Sequence, residues 1–139
     1  MDKEFEQISI KAGFMKHNGG LLFKTINEHE YQFKTTISEN HLNAAGITHG
    51  GFLAAFVDAG AGTAAHRASS NSPCVTISLE MKFISAVRLG QELIGKTKIQ
   101  KKTKSMVFLT CELTAENKIT ATASGVWKIL RLPGTGSGG

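Results

Sequence analysis

Long apolar runs, cysteine and proline are scarce in this sequence, and each shortage closes off a class of protein. The longest uninterrupted apolar stretch runs from Phe52 to Val57, far short of the roughly 20 residues a membrane helix needs, so no membrane span is expected. The N-terminus, Met-Asp-Lys-Glu-Phe-Glu, is not a basic stretch leading into an apolar one, and no export signal is expected. The 2 cysteines, Cys74 and Cys111, have no metal-type spacing; they read as small buried hydrophobes of a reduced, cytoplasmic chain without a metal site. Trp127 and Tyr31 join 8 phenylalanines with no interleaving of aromatic and basic residues, which argues against nucleic acid as a partner. Neither the G-x-S-x-G of serine hydrolases nor the H-E-x-x-H of zinc hydrolases occurs.

What is present is the composition of one soluble globular domain: 139 residues, 41% hydrophobic and 19% charged, with 15 glycines against 2 prolines. A chain of this size hides about two-thirds of its unfolded surface without disulfide or metal staples. Residues 1–131 read as that single domain and residues 132–139 as a flexible tail. The tail formally fits G-x-G-x-x-G from Gly134 to Gly139, but no helix follows, so it does not read as a phosphate loop. The net charge of +5 is uneven: residues 82–104 hold Lys82, Arg88, Lys96, Lys98, Lys101, Lys102 and Lys104 against Glu92 alone. A polyanionic partner would meet this second half of the chain, unless the lysines simply form the solvated outer face of a strand pair.

Periodicity divides the chain into elements. Glu4 to Lys16 place Phe5, Ile8, Ala12 and Phe14 at spacings near three and four, which predicts a short amphipathic helix ended by His17-Asn18-Gly19-Gly20. Leu21 to Ile26 and Tyr31 to Ile37 read as an antiparallel hairpin, and Ser38 to Thr48 as a loop. From His49 to Arg67 the chain is apolar nearly all round and rich in small residues, which predicts a buried helix. Gly60 and Gly62 either end that helix or admit another part of the chain closely. Residues 74–84 alternate strictly, with Val75, Ile77, Leu79, Met81 and Phe83 apolar and Thr76, Ser78, Glu80 and Lys82 polar, as a half-buried strand does. Leu93 to Gln100, Met106 to Thr114 and Ile119 to Leu130 continue as strands of a long antiparallel meander. The expected fold class is α+β, with a curved antiparallel sheet wrapped around the helix.

The chemistry concentrates around the helix. Gly50 and Gly51 at its start leave first-turn N–H groups uncovered, and with the positive end of the helix dipole these donors suit a developing oxyanion; equally, the pair permits a tight corner. His49 reads as a cap or a catalyst, and Asn43 as a site residue or a loop residue holding its turn. Asp58 is the only acid between Glu39 and Glu80. A carboxylate on so apolar a helix is costly to desolvate unless it is paired or has a task. Gly50 and Asp58 are eight residues apart, about 12 Å along one helix, whereas a reacting centre must lie roughly 3 Å from both oxyanion donor and base. One chain therefore does not present both to the same carbonyl, but two chains paired about a two-fold axis do. Thr76, on the polar face of its strand, is available to orient a water or the carboxylate.

The run Asn43-x5-His49-Gly50-Gly51-x6-Asp58, followed by Thr76 and by Phe83-Ile-Ser-Ala-Val-Arg88-Leu-Gly90, resembles the hotdog-fold acyl-CoA thioesterases of the phenylacetate-pathway PaaI type over about residues 5–131. The resemblance implies a hotdog fold and a homodimer, or a dimer of dimers, that hydrolyses acyl-CoA thioesters without a metal or organic cofactor. It implies that Asn43, His49 and the Gly50 amide form the carbonyl side of the site and that Asp58 of the partner is general base or nucleophile. Thr76 matches a position often filled by Ser or Thr, and Ala86 departs from the proline of many relatives. Gly51 adjoins the carbonyl side, and Arg88, Lys101, Lys102 and Lys104 are candidate contacts for the coenzyme A phosphates. Another activity on the same fold, such as an acyl-CoA hydratase, and a non-catalytic acyl-CoA binding protein are the alternative readings.

Overall fold

The computed structural model describes residues 4–130. Seven strands form one antiparallel sheet: β1 (Glu6–Ile8), β2 (Leu21–Thr25), β3 (Glu30–Thr36), β4 (Cys74–Phe83), β5 (Glu92–Lys102), β6 (Met106–Ala115) and β7 (Lys118–Ile129). They are joined by a short helix α1 (Phe14–His17) and a long one, α2 (Gly50–Ala68). The sheet order is β1-β2-β3-β5-β6-β7-β4. Its inner face, with Phe33, Leu93, Val107, Leu109, Leu113 and Trp127, closes on Phe52, Phe56, Val57, Ala61, Ala64 and Ala65 of α2 in one core. This is the hotdog arrangement expected, a sheet curved around a central helix. The proposed tail, residues 132–139, lies outside the described residues.

Two glycines explain how the helix seats so deeply. Neither ends α2. A Cβ at Gly60 would fall 2.2 Å from the Phe33 ring, and one at Gly95 of β5 would fall 2.5 Å from the same ring. Phe33 thus occupies space that only two facing glycines leave open, and the helix approaches β3 and β5 at ring thickness. The β6–β7 turn is tight for a related reason: Glu116 and Asn117 take φ of 50° and 64°, the pair of positive angles a type I′ turn needs.

Four expectations require correction. Glu4 to Lys16 is not a helix: Glu6 to Ile8 pair with Phe23 to Leu21 as β1, and only Phe14–His17 is helical. The N-terminal strand finds a free edge on β2, and that pairing outweighs a weak helical period. The strands also do not run as one meander. β5, β6 and β7 do, but β4 lies at the far edge against β7 while β5 pairs with β3. The connection 84–91 makes this crossing, held where Thr48 donates to the Val87 carbonyl through both N–H and Oγ1, at 2.8 Å each.

The third correction concerns β4, which is not half-buried in a single chain. As an edge strand it leaves Val75 43%, Ile77 53% and Phe83 57% exposed. Its alternation is broken by a bulge between Thr76 and Ser78, where Thr76 pairs with Trp127 and Ser78 with Val126. The extra residue reverses the parity of the strand start. Thr76, expected on the polar face, shares the helix-side face with Leu79, whose cross-strand partner is Gly125. Finally, α2 is not buried all round. The sheet covers Phe52, Leu53, Phe56, Val57, Gly60, Ala61, Ala64 and Ala65, while Gly51 and Asp58 on the opposite stripe are exposed.

Candidate active site

The entry to α2 is built as an amide donor site. His49 is the N-cap residue, and its Nδ1 accepts from the Gly51 N–H at 2.7 Å. A Cβ at Gly51 would stand 2.8 Å from that nitrogen, so the cap requires glycine there. The His49 carbonyl accepts from Phe52 and Leu53 N–H at 2.9 and 3.2 Å. Of the first-turn amides, Gly50 alone has no acceptor among the described residues. Because Nδ1 accepts, the neutral His49 ring carries its proton on Nε2, an outward donor on an exposed residue.

Asn43 serves its loop first. Its Oδ1 accepts from Ala45 N–H at 2.9 Å and Ile47 N–H at 3.3 Å, which leaves the carboxamide NH2 without a partner among the described residues. Asn43 and Gly50 line one cavity of about 320 Å3 together with Leu53, Phe83 and Val87. The Phe83 ring lies against Gly50, 3.4 Å from where a Cβ would project.

A residue that sequence reasoning missed holds this end together. His41 is buried, its Nδ1 accepts from the Ser38 N–H at 3.0 Å, and its Nε2 therefore donates to the Asn18 carbonyl at 2.7 Å. Its ring stacks on Phe52 with centroids 3.8 Å apart, and its carbonyl accepts from the His49 N–H at 2.8 Å. One imidazole thus ties the end of α1 to the loop that feeds the helix start. The only signal in the sequence was a lone histidine two residues before Asn43.

The carboxylate sits elsewhere. Asp58 lines a second groove, of about 630 Å3, with Gly62, His66, Thr76 and Trp127. The Thr76 hydroxyl donates to Asp58 Oδ1 at 2.5 Å, a contact the β4 bulge makes available. Asp58 is exposed in the single chain; the heavy desolvation expected from its apolar neighbours is not met there, because it stands on the stripe of α2 that the sheet leaves uncovered. Asn43 and Gly50 on one side, and Asp58 and Thr76 on the other, thus face separate cavities, as the 12 Å helical separation requires.

The basic residues divide likewise. Arg88 lies on the connection held to the helix entry, its backbone N–H donating to Gln91 Oε1 at 2.8 Å. Lys101, Lys102 and Lys104 are exposed at the β5–β6 turn, at the other end of the sheet, where Ser105 accepts from Ile129 N–H at 2.8 Å. Lys96 and Lys98 stand on the solvated outer face of β5.

With this geometry fixed, comparison with known proteins is decisive. The thioesterase superfamily model matches residues 45–122, the stretch that carries His49, Gly50, Asp58 and Thr76. The chain belongs to the thioesterase superfamily. Among the relatives, a Pseudomonas aeruginosa protein named a putative esterase is 34% identical over 94 residues, 67% of this chain and 70% of that protein. Mouse acyl-coenzyme A thioesterase 13 is 30% identical over 84 residues, 60% of this chain and 59% of that one. The match thus spans less than two-thirds of the mammalian enzyme's length. The Escherichia coli PaaI protein of the phenylacetic acid degradation operon shares the fold, with a TM-score of 0.75 at 19% identity, over 84% of this chain and 83% of its own. No helix among the described residues is long and apolar enough to cross a membrane.

Proposed function

We propose that the protein hydrolyses acyl-CoA thioesters carrying an aromatic or medium-chain acyl group, at two equivalent sites formed across a homodimer. The observation that carries this reading is the division of the site: a Gly50 amide without an acceptor in one cavity, and an Asp58 carboxylate oriented by Thr76 in another. A two-fold axis sets the Gly50 end of one helix against Asp58 of the partner subunit. The surface such pairing needs is free: β4 is a ten-residue edge strand with exposed Val75, Ile77 and Phe83, the kind of edge that joins another chain unless it is blunted. Further pairing of dimers into a tetramer follows from the family resemblance.

In the assembled site the thioester carbonyl docks on the Gly50 N–H, which stabilises the tetrahedral oxyanion, with the Asn43 NH2 and His49 Nε2–H as additional donors. Asp58 then takes a proton from water as the water oxygen bonds to the carbonyl carbon; the C–S bond breaks and the coenzyme A thiolate leaves and is reprotonated. Alternatively the carboxylate itself attacks, giving a mixed anhydride that water cleaves. Oxygen labelling in a single turnover separates the routes, since only nucleophilic attack places solvent label in the enzyme carboxylate. The two-fold also brings the lysine turn of one subunit, beside its Asp58 end, toward Arg88 of the other, so both flank the same coenzyme A phosphates.

The direct test is thiol release by the purified protein from a panel of acyl-CoAs. Turnover of an aromatic or medium-chain member, abolished in Asp58→Asn, is the expected result. Release from none of the panel, or an active Asp58→Asn protein, contradicts the proposal.

A further inference from the structure

Trp127 is the one tryptophan of the chain; the residue is 1% exposed, and its indole N–H has no hydrogen-bond acceptor among the described residues. The indole nitrogen is not among the buried polar atoms left without a partner, so the N–H keeps an opening out of the core although the rest of the side chain is buried. The N–H opens where α2 carries no side chain: a Cβ at Gly62 would fall 3.2 Å from Nε1. Gly62 and Trp127 both line the groove that contains Asp58 and Thr76. Gly62 is one helical turn beyond Asp58, so the donor lies roughly 6 Å along the groove from the carboxylate. The nearby Arg67 is already ion-paired with Glu6 at 2.5 Å, which leaves the indole as a neutral donor for a neutral acceptor.

We propose that the Trp127 indole N–H is a substrate-binding donor, taking an uncharged ketone, ether, hydroxyl or amide oxygen of the bound thioester about one helical turn from the carbonyl that Asp58 serves. This rests on the reading of Asp58 given above. An oxygen at that reach has two sources, a substituent on the acyl tail or the first amide of the pantetheine arm, and both present the same chemistry to the indole.

A single tryptophan gives a single indole 15N–1H resonance, so the contact is observable without turnover. The Asp58→Asn protein is titrated with 5-oxohexanoyl-CoA and with 5-methylhexanoyl-CoA, which differ only at C5, where a carbonyl oxygen is replaced by a methyl group and a hydrogen. A downfield shift with the oxo compound alone assigns the acceptor to the acyl tail; a shift with both assigns it to the pantetheine amide. In the otherwise unaltered enzyme, Trp127→Phe then lowers kcat/KM about tenfold for the thioesters that moved the resonance, as loss of one hydrogen bond does. A resonance unmoved by both ligands, or a Trp127→Phe enzyme with unchanged kcat/KM, overturns the proposal. Wild-type protein that releases no thiol from either compound while the resonance still moves would instead defeat the hydrolase reading and leave the binding contact standing.

Discussion

The Thr76 hydroxyl lies 2.5 Å from Asp58 Oδ1, and it does so because a one-residue bulge turns the start of β4 inward. The bulge is therefore part of the proposed site, since without it the threonine would face solvent. A hydrogen bond to a charged acceptor contributes about 1.5 to 3 kcal/mol, so Thr76→Val should lower kcat by roughly ten- to a hundredfold. Thr76→Ser, which keeps the hydroxyl, should restore most of it. Steady-state thiol release on the three proteins checks this, and equal rates for Val and Ser would remove Thr76 from the mechanism.

His41 should matter through packing and position. Its ring fills the space against Phe52 and satisfies both Ser38 N–H and the Asn18 carbonyl. His41→Ala leaves a cavity and two unpaired polar groups, and should cost about 2 to 4 kcal/mol in denaturant unfolding. Because the His41 carbonyl also anchors His49, kcat should fall in His41→Gln beyond any change in KM.

Cys111 predicts a pH dependence of stability. Burial is the main cause that pushes its thiol up to about 11 from 9.0. The folded state holds the proton more tightly than the unfolded chain, so this contribution is complete below pH 9 and is lost as pH rises toward 11. The loss is on the order of 2 kcal/mol. Urea titrations between pH 8 and 11 should show that decline, flattened in Cys111→Ala; a Cys111→Ala slope as steep as wild type would refute it.

Arg88, Lys101, Lys102 and Lys104 should govern salt sensitivity. Replacing the three lysines of the turn with Gln, or Arg88 with Ala, should raise KM for acyl-CoA several-fold at low ionic strength and little at high, because these exposed charges are screened. A wild-type KM independent of salt would count against phosphate contacts at either place.

How much of this was legible in the sequence follows from the kind of signal each feature leaves. The helix from Gly50, its lone acid and the alternating strands are local patterns, and the structure places them within a residue or two. The bulge at Thr76 leaves no local mark, because strict apolar-polar alternation reads the same whether or not one residue is unpaired. The edge position of β4 depends on where 84–91 carries the chain, which is settled by Thr48 gripping Val87 across 39 residues. The exposure of Asp58 depends on how far the sheet wraps the helix, a packing outcome and not a pattern. His41 was invisible for the same reason: its partners come from Asn18, Ser38 and Phe52, brought together only by the fold.

Subunit complementation probes the proposed two-chain site most directly. Asp58→Asn removes the carboxylate, and Gly50→Pro removes the amide donor at the first helical position, where proline is tolerated. Each homodimer should be inactive. Mixed, unfolded and refolded together, they should form hybrids in which Gly50 of one subunit meets Asp58 of the other at one intact site, and thiol release should return in proportion to the hybrid fraction. Two inactive proteins that stay inactive at every mixing ratio, with hybrids shown to form, would contradict a site built across two chains.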